Sequence, residues 1–404
     1  KETKKIGVFK KSHANFQGIT KENKMKKVGI LTTFRQPNWG SVLQAYALQQ
    51  VINDLGYDSE LIDYRYPNKF HWKRGKKWGK PAPKTLRNTL KELKDKILII
   101  LGVRSAPMMD LLNSFIDREM KVSKPILSYD DLHANPPIYD IYVSGSDQIW
   151  NPNTMLGDLS YMFDFAPLNS KKISYASSFS CKSIPSKLKK QYEESLSDFY
   201  ALSVRENNGK DIIKELLGRD AKVVLDPTLL ITKVYWNAIA DKASNVKLPK
   251  QYILCYMLSY TFEVDKPMGQ LLQLVQDKCK MPVIALNKIP NSFHGDIVNL
   301  PKSYNRGIEE FLYLIKESSI IVSSSFHGTA FALNFGKPLV AMGARNEDDR
   351  VLSLLSNMNM TRHFVYSDNI SSANIEVYYD ESKEQSILHS LRTDSLSFLK
   401  DSLE

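Results

Sequence analysis

The chain reads as an α/β protein made of two doubly wound parallel units. Residues 28–64 run strand, polar turn, helix, strand, the order of a parallel βαβ unit. A second alternating set of apolar strands and helices starts at Tyr252. A polar stretch, 232–250, separates the two sets. The length of 404 residues fits two or three domains of ~150 residues each.

Val28–Phe34 is a short apolar run of the kind a strand buried on both faces shows. A turn with Pro37, Asn38 and Gly40 follows. Ser41–Leu55 places apolar residues at 42, 43, 45, 48, 51, 52 and 55, a helical period, with Ser41 as N-cap and Gly56 as stop. Tyr57–Tyr64 is the next strand. Residues 65–135 break the rhythm and read as a surface insertion, helical to about Met120. Strand Ile138–Ser144 then ends in Gly-Ser-Asp, and Lys172–Ser178 is another strand. A helix over 186–199 leads to Ala201–Val204, and a helix over 209–217 to Ala221–Leu225 and Asp226-Pro227. The second set contains strand Tyr252–Leu258, helix 265–279 and strand Val283–Leu286. Helix 307–317, strand Ile320–Ser323, helix 327–335 and strand Leu339–Met342 follow, and 383–403 is an amphipathic terminal helix. The expected division is 1–240, 241–380 and a C-terminal helix, 381–404. The active cleft is expected between the units, at the strand C-terminal ends.

Charge is concentrated. Lys and Arg number 55 and Asp and Glu 44, a net of +11. Between Lys69 and Lys96 lie eleven Lys and Arg and two acids, +9, leaving +2 for the rest. One basic segment on a nearly neutral protein argues against general nucleic-acid binding. Cys181, Cys255 and Cys279 form no pair motif and read as small core hydrophobes in a reducing compartment. The longest aliphatic run near the basic segment, Ile97–Val103, is far below the ~20 residues of a membrane span. The Lys-rich first 27 residues contain no run suited to a signal peptide. A cytoplasmic protein is expected. Residues 1–24 precede Met25 either as an upstream extension or as an extra edge element. The signatures GxGxxG, GxxxxGK[ST], HExxH, GxSxG and Asp-x-Asp are all missing, so no nicotinamide, P-loop or metal chemistry is signalled, and no cofactor is expected.

Four strand-end clusters stand out. Asn38-Trp39-Gly40-Ser41 opens the first helix, where a glycine admits close approach and free N–H groups attract an anion, against an ordinary tight turn. Gly145-Ser146-Asp147-Gln148-Ile149-Trp150 offers a carboxylate that can take a proton from a sugar hydroxyl, against an Asp N-cap with Trp150 in the core. Arg205 can hold a carboxylate or phosphate bidentately, against a surface pair with Glu206. Ser323-Ser324-Ser325-Phe326-His327-Gly328-Thr329 sets a histidine at a helix N-terminus among hydroxyls, against a histidine capping its own backbone. His294 beside Gly295 is a second histidine candidate.

These clusters, in this order, resemble the polysaccharide pyruvyl transferase family. The matching stretches are 30–49, 140–151, 171–180 (KKISYASSFS), 202–206, 223–230 (VVLDPTLL) and 323–342. The resemblance implies a GT-B-like fold of two facing Rossmann-like domains, the first on the acceptor side and the second on the donor side. It implies transfer of the enolpyruvyl unit of phosphoenolpyruvate onto two hydroxyls of a sugar in a bacterial polysaccharide precursor, giving a cyclic ketal and phosphate. Carried over, Asp147 resembles the acidic residue near the donor, Arg205 the cation for phosphate or carboxylate, and His327 the histidine at the same ligand. Ser324, Ser325, Phe326 and Gly328 are expected around that donor. Asn38, Trp39, Gly40, Ser146, Gln148 and Trp150 are cleft and acceptor candidates. Some members carry an arginine where Ser325 stands, so a second cation is expected from Arg345, Arg350 or Lys337. His327 is expected as general acid and Asp147 as base. The alternatives are a sugar-nucleotide glycosyltransferase of the same architecture and a non-catalytic glycan- or membrane-binding module. The basic segment, with Phe70, Trp72 and Trp78, suits an anionic bilayer at about 1 kcal/mol per basic residue, where a polyprenyl-linked acceptor would be presented.

Overall fold

The computed structural model describes residues 25–65, 86–155, 158–243, 246–258, 263–345, 350–370 and 374–404, with the side chains of 86–92 and 155 left aside. Residues 1–24 and the basic residues 69–85 lie outside the described part.

Strands β1 (Lys27–Leu31), β2 (Asp58–Leu61), β3 (Ile141–Ser144) and β4 (Lys171–Ser174) form a parallel sheet in the order β2-β1-β3-β4. The short parallel pair β5 (Ser203–Val204) and β6 (Lys222–Val223) lies beside β4, through bridges Ile173–Ala201 and Ser177–Val204. Strands β7 (Ile253–Tyr256), β8 (Val283–Ala285), β9 (Ile320–Ser323), β10 (Leu339–Gly343) and β11 (Phe364–Tyr366) form a second parallel sheet in the order β11-β10-β9-β7-β8. β1, β3, β7 and β9 are buried almost throughout, as strands covered on both faces must be. Two Rossmann-like sheets with a C-terminal helix make the GT-B-like architecture.

The helices that place the cleft are α1 (Trp39–Asp54), α2 (Leu86–Ile100), α3 (Met108–Glu119), α4 (Tyr129–Ala134), α5 (Ser186–Ser197), α6 (Asn207–Leu217), α7 (Pro227–Leu230), α8 (Lys233–Ala240), α9 (Asp265–Cys279), α10 (Ile308–Glu317), α11 (Phe326–Phe335), α12 (Arg350–Asn357) and α13 (Glu381–Leu403). α1 starts two residues before the expected cap. Asn38 Oδ1 accepts from Gly40 N at 2.9 Å and Ser41 N at 3.3 Å, so Asn38 is the N-cap and Ser41 lies inside the helix. The insertion holds α2, α3 and α4 and returns to the β2 edge through bridges Leu61–Val122 and Tyr64–Ile126. The polar stretch after residue 232 contains α8, which packs on α10. β11 and α12 lie in a part of the sequence too irregular to have signalled them.

One apolar core runs through both units. Trp39 stacks on Phe311 at 5.3 Å and meets Tyr256 edge-on, while Trp236 meets Phe331. α13 closes the back. Ser395 Oγ accepts from Leu225 N at 3.0 Å and Arg392 donates to Leu229 O at 2.6 Å, so the C-terminal helix grips the first unit while Leu388, Leu399 and Leu403 are buried in the shared core. Cys181, Cys255 and Cys279 are free thiols. Among the described residues no helix is long and apolar enough to cross a membrane.

Candidate active site

The C-terminal ends of β1, β3, β5, β6 and β9 meet at one place. After β3 the chain turns through Asp147, whose φ of 75° is the left-handed region that Asp tolerates better than most residues. That turn aims its carboxylate back at α1. Oδ2 accepts from Ser41 Oγ at 2.6 Å and Thr33 Oγ1 at 3.0 Å, and Oδ1 from Gln148 N at 2.9 Å.

Arg205, 3% exposed, reaches in from the end of β5. Its Nη1 donates to Asp226 Oδ2 at 3.1 Å and to Ser146 Oγ at 3.4 Å, its Nη2 lies 3.9 Å from Asp147, and its guanidinium covers the Phe326 ring at 4.2 Å. Nε and Nη2 are buried without a hydrogen-bond partner. Asp226, at the end of β6, caps α7 by accepting from Thr228 N at 3.0 Å and Thr228 Oγ1 at 2.7 Å. Its Oδ2 also accepts from Ser146 Oγ at 2.7 Å and lies 3.8 Å from His327 Nε2. Asp226 is therefore the hub shared by Arg205, Ser146 and His327.

His327 comes from the other unit, in the first turn of α11. Its ring lies against Gly40, where an added Cβ would sit 2.1 Å from ring atoms. Gly40 thus admits the histidine of the facing unit, where sequence pointed to a ligand. Nε2 is buried without a hydrogen-bond partner. Arg350, at the start of α12, stands close enough for its charge to act on His327. With the Gln148 amide turned to satisfy its neighbours, its oxygen accepts from Arg350 Nη1 at 2.8 Å.

Burial pushes His327 below its usual range; Asp226 opposes this and Arg205 adds to it, so the neutral ring is favoured. The charged form expected from sequence is disfavoured by these surroundings. Burial alone would raise the Asp147 carboxyl, but Arg205, His327 and the Ser41 and Gln148 donors outweigh it and hold the group at about 2. Asp226 is likewise lowered, burial being overcome by His327, Arg205, Thr228 and Ser146.

Asp147, Arg205 and His327 therefore meet. Glu206 is no surface partner of Arg205. It is buried and accepts from Phe179 N and Ser180 N. His327 is not a cap either, because Ser325 Oγ caps α11 at Gly328 N, 3.3 Å. The serine hydroxyls serve backbone. Ser323 Oγ donates to Tyr256 O, and Ser324 Oγ donates to Leu258 O while accepting from Leu258 N. Gly328 is a packing glycine, its Cβ position 2.3 Å from Ser323 Oγ. Phe326 supports Arg205.

Several expected cleft residues lie elsewhere. Trp150 is fully buried against Phe179 and Phe199, as a core tryptophan. Trp39 packs between the units, its Nε1 donating to Arg306 O at 2.9 Å, and one edge borders a cavity of about 420 Å³. Lys337 follows α11 at its far end, about 15 Å along the axis at 1.5 Å per residue, near Glu317 and Glu381. Arg345 is paired with Asp368 at 2.9 Å and lies over Tyr366. Of the three candidate cations, Arg350 is the one at the histidine. His294 is exposed in the loop between β8 and α10.

Asp226 and Thr33 escaped sequence reasoning, and Ser41, read there as a helix cap in the first cluster, proves to be a donor to Asp147. The one signal was Asp-Pro-Thr at a strand end, which by itself reads as an ordinary helix start. Chemically, the site presents unpartnered cationic and imidazole donors on one side and fixed carboxylates on the other. That polarity suits an anion facing a hydroxyl-bearing co-substrate. Among the described residues no three His, Cys, Asp or Glu side chains cluster as metal ligands would.

The family model described as polysaccharide pyruvyl transferase matches residues 38–346. No curated protein matches the chain. Among solved structures, UDP-GlcNAc 2-epimerase from Neisseria meningitidis bound to UDP-GlcNAc is similar at TM-score 0.45 and 13% identity, covering 92% of this chain and 100% of that one. Arabidopsis thaliana UGT89C1 with UDP-L-rhamnose scores 0.44 at 12% identity, covering 94% and 99%. The E. coli heptosyltransferase WaaC scores 0.35 at 11%, covering 79% and 89%. Scores this low carry no argument, and the architecture stands on this chain's own strand order.

Proposed function

The chain belongs to the polysaccharide pyruvyl transferase family, and from this premise we propose that its cleft transfers the enolpyruvyl unit of phosphoenolpyruvate to two hydroxyls of one sugar. It is a transferase; donor, ketal product and residue roles are the proposal. The observation that carries it is Arg205, anchored on Asp226 beside His327, with two buried guanidinium nitrogens, Nε and Nη2, that have no hydrogen-bond acceptor and can serve an anion.

The donor carries a carboxylate and a phosphate, and Arg205 and Arg350 supply a cation for each. Arrival of the phosphate favours the imidazolium, reversing the lowered state of His327. His327 then gives its proton to the methylene carbon, which becomes methyl and leaves C2 electrophilic. A sugar hydroxyl attacks C2, forming a C–O bond, and its proton returns to His327. The C2–O bond to phosphate breaks, and the second hydroxyl closes the ring, its proton leaving with phosphate. Asp147, held at about 2, is a weak base. Its role is to accept a hydrogen bond from the attacking hydroxyl and aim it, displacing the Ser41 or Thr33 donor. Closure of the cleft excludes water, which would intercept C2. The donor lies between Arg205 of the first unit and His327 and Arg350 of the second, the acceptor lies on the Asp147 side of the first unit, and a polyprenyl-linked sugar in the cytoplasm is the acceptor class this reading favours.

The test is phosphate release from phosphoenolpyruvate with galactose, mannose and N-acetylhexosamine glycosides and lipid-linked intermediates as acceptors. Turnover with at least one acceptor is expected, with thermal stabilisation by phosphoenolpyruvate and none by nucleotide sugars. No turnover together with no phosphoenolpyruvate binding would sink the proposal, and stabilisation by a nucleotide sugar alone would put glycosyl transfer in its place.

A further inference from the structure

The inserted helix α2 is apolar on the side that faces away from the protein. Leu93, Ile97, Ile100 and Leu101 lie at i, i+4, i+7 and i+8, which is one face at 100° per residue. All four are exposed, Ile100 by 83% and Leu101 by 67%, and Val103 continues the patch. The opposite face is the one turned inward. There Asp95 and Ile99 border the cavity of about 420 Å³ that also touches Trp39 and Arg306. The outward stripe is therefore not a core face seen from the wrong side. Lys94 and Lys96 fall at its two edges, 60° to 100° around the helix from its centre line. Both are exposed. The sequence just before the stripe holds most of the +9 segment.

We infer that this face of α2 docks the protein on an anionic membrane surface. Apolar side chains between Lys94 and Lys96 suit the headgroup boundary. The stripe enters the acyl region, and the lysine stems reach out to lipid phosphates. Charge decides between a bilayer and a second copy of the chain. A two-fold dimer through α2 would set the Lys94 and Lys96 edges of one copy against those of another, whereas an anionic surface attracts them. Docked in this way, α2 turns its other face, and the cavity beside Trp39, toward the cleft that contains Gly40 and His327. The docking does not rest on the transfer proposal, since vesicle binding and phosphate release are separate readouts.

The experiment is co-sedimentation of the full chain with phosphatidylcholine vesicles, with and without phosphatidylglycerol, at low and high salt. Wild type should sediment with the anionic vesicles about tenfold more than with the neutral ones, and less at high salt. Ile100→Ser/Leu101→Ser and Lys94→Glu/Lys96→Glu should each lower the bound fraction roughly tenfold. The four side chains are exposed, so melting curves should match wild type. Three results would overturn the inference: equal sedimentation with both vesicle types; undiminished binding by Ile100→Ser/Leu101→Ser; or a wild-type dimer that this variant turns into monomer, with no vesicle binding, which would make the occupant a second copy.

Discussion

The loops after β3 and β9 hold corresponding places in their sheets, yet direct their polar groups in opposite ways. After β3, Ser146 and Asp147 turn toward the cleft, and Trp150 leaves for the core. After β9, the serines at 323, 324 and 325 bind backbone, and only His327 brings a polar group across, beside the Phe326 ring that lies under Arg205. One loop delivers charge. The other is a rigid mount for a single imidazole. Hydroxyls crowded at a strand end are thus poor evidence of a ligand site where the backbone there has orphan groups of its own to satisfy.

The contrast breaks first at the group that joins the two sides. Asp226→Ala leaves Arg205 buried without its acceptor and uncaps α7, so urea unfolding should show a loss of about 3–5 kcal/mol. Asp226→Asn, which keeps the cap, should lose less. A variant as stable as wild type would mean that the hub is dispensable. On the mount side, His327→Ala should slow phosphate release roughly 10²–10⁴-fold with a smaller change in KM. Loss of affinity with turnover intact would remove His327 from acid catalysis. Gly40→Ala pushes a methyl to 2.1 Å from the histidine ring, and the displaced imidazole should cost about 10²-fold in turnover.

The charge side is tested by pH. Asp147 is depressed below its unfolded value of ~3.9, so its stabilisation is present above that pH and is lost as pH falls toward about 2. Ser41→Ala removes a donor to the carboxylate and should shrink that acid-side loss, read from denaturation at pH 2 to 5. His327 acts in the same direction, beginning at a higher pH. Its lowered value makes protonation oppose folding, so stability also declines below ~6.5 in wild type and less in His327→Ala. The smallest effect belongs to the mount's hydroxyls. Ser324→Ala should cost about 1 kcal/mol of stability and leave turnover unchanged. A large loss of turnover would return Ser324 to the donor site.

Much of this was legible in the sequence. The apolar strands of both sheets were legible apart from β11, and three strand-end residues picked from the sequence, Asp147, Arg205 and His327, meet. What stayed hidden depends on long-range placement. Asp226 looks like any cap until β6 is set beside β5, which brings its second oxygen to Arg205. Gly40 looks like a turn glycine until the second unit lays His327 on it. Trp150 and Trp39 carry the composition of a sugar platform, but burial and an inter-unit stack claim them. Lys337 and Arg350 are both near His327 in sequence. A helix length separates one from the site, while the start of α12 brings the other to it.

The proton on His327 is the most direct test. Binding of phosphoenolpyruvate by isothermal titration calorimetry, in two buffers of different ionisation enthalpy at pH 8, measures proton uptake when the donor is already fully ionised. Wild type should take up close to one proton per donor bound, and His327→Ala none. No uptake by wild type, or equal uptake by both proteins, would contradict the conversion of a neutral His327 into the acid that starts the transfer.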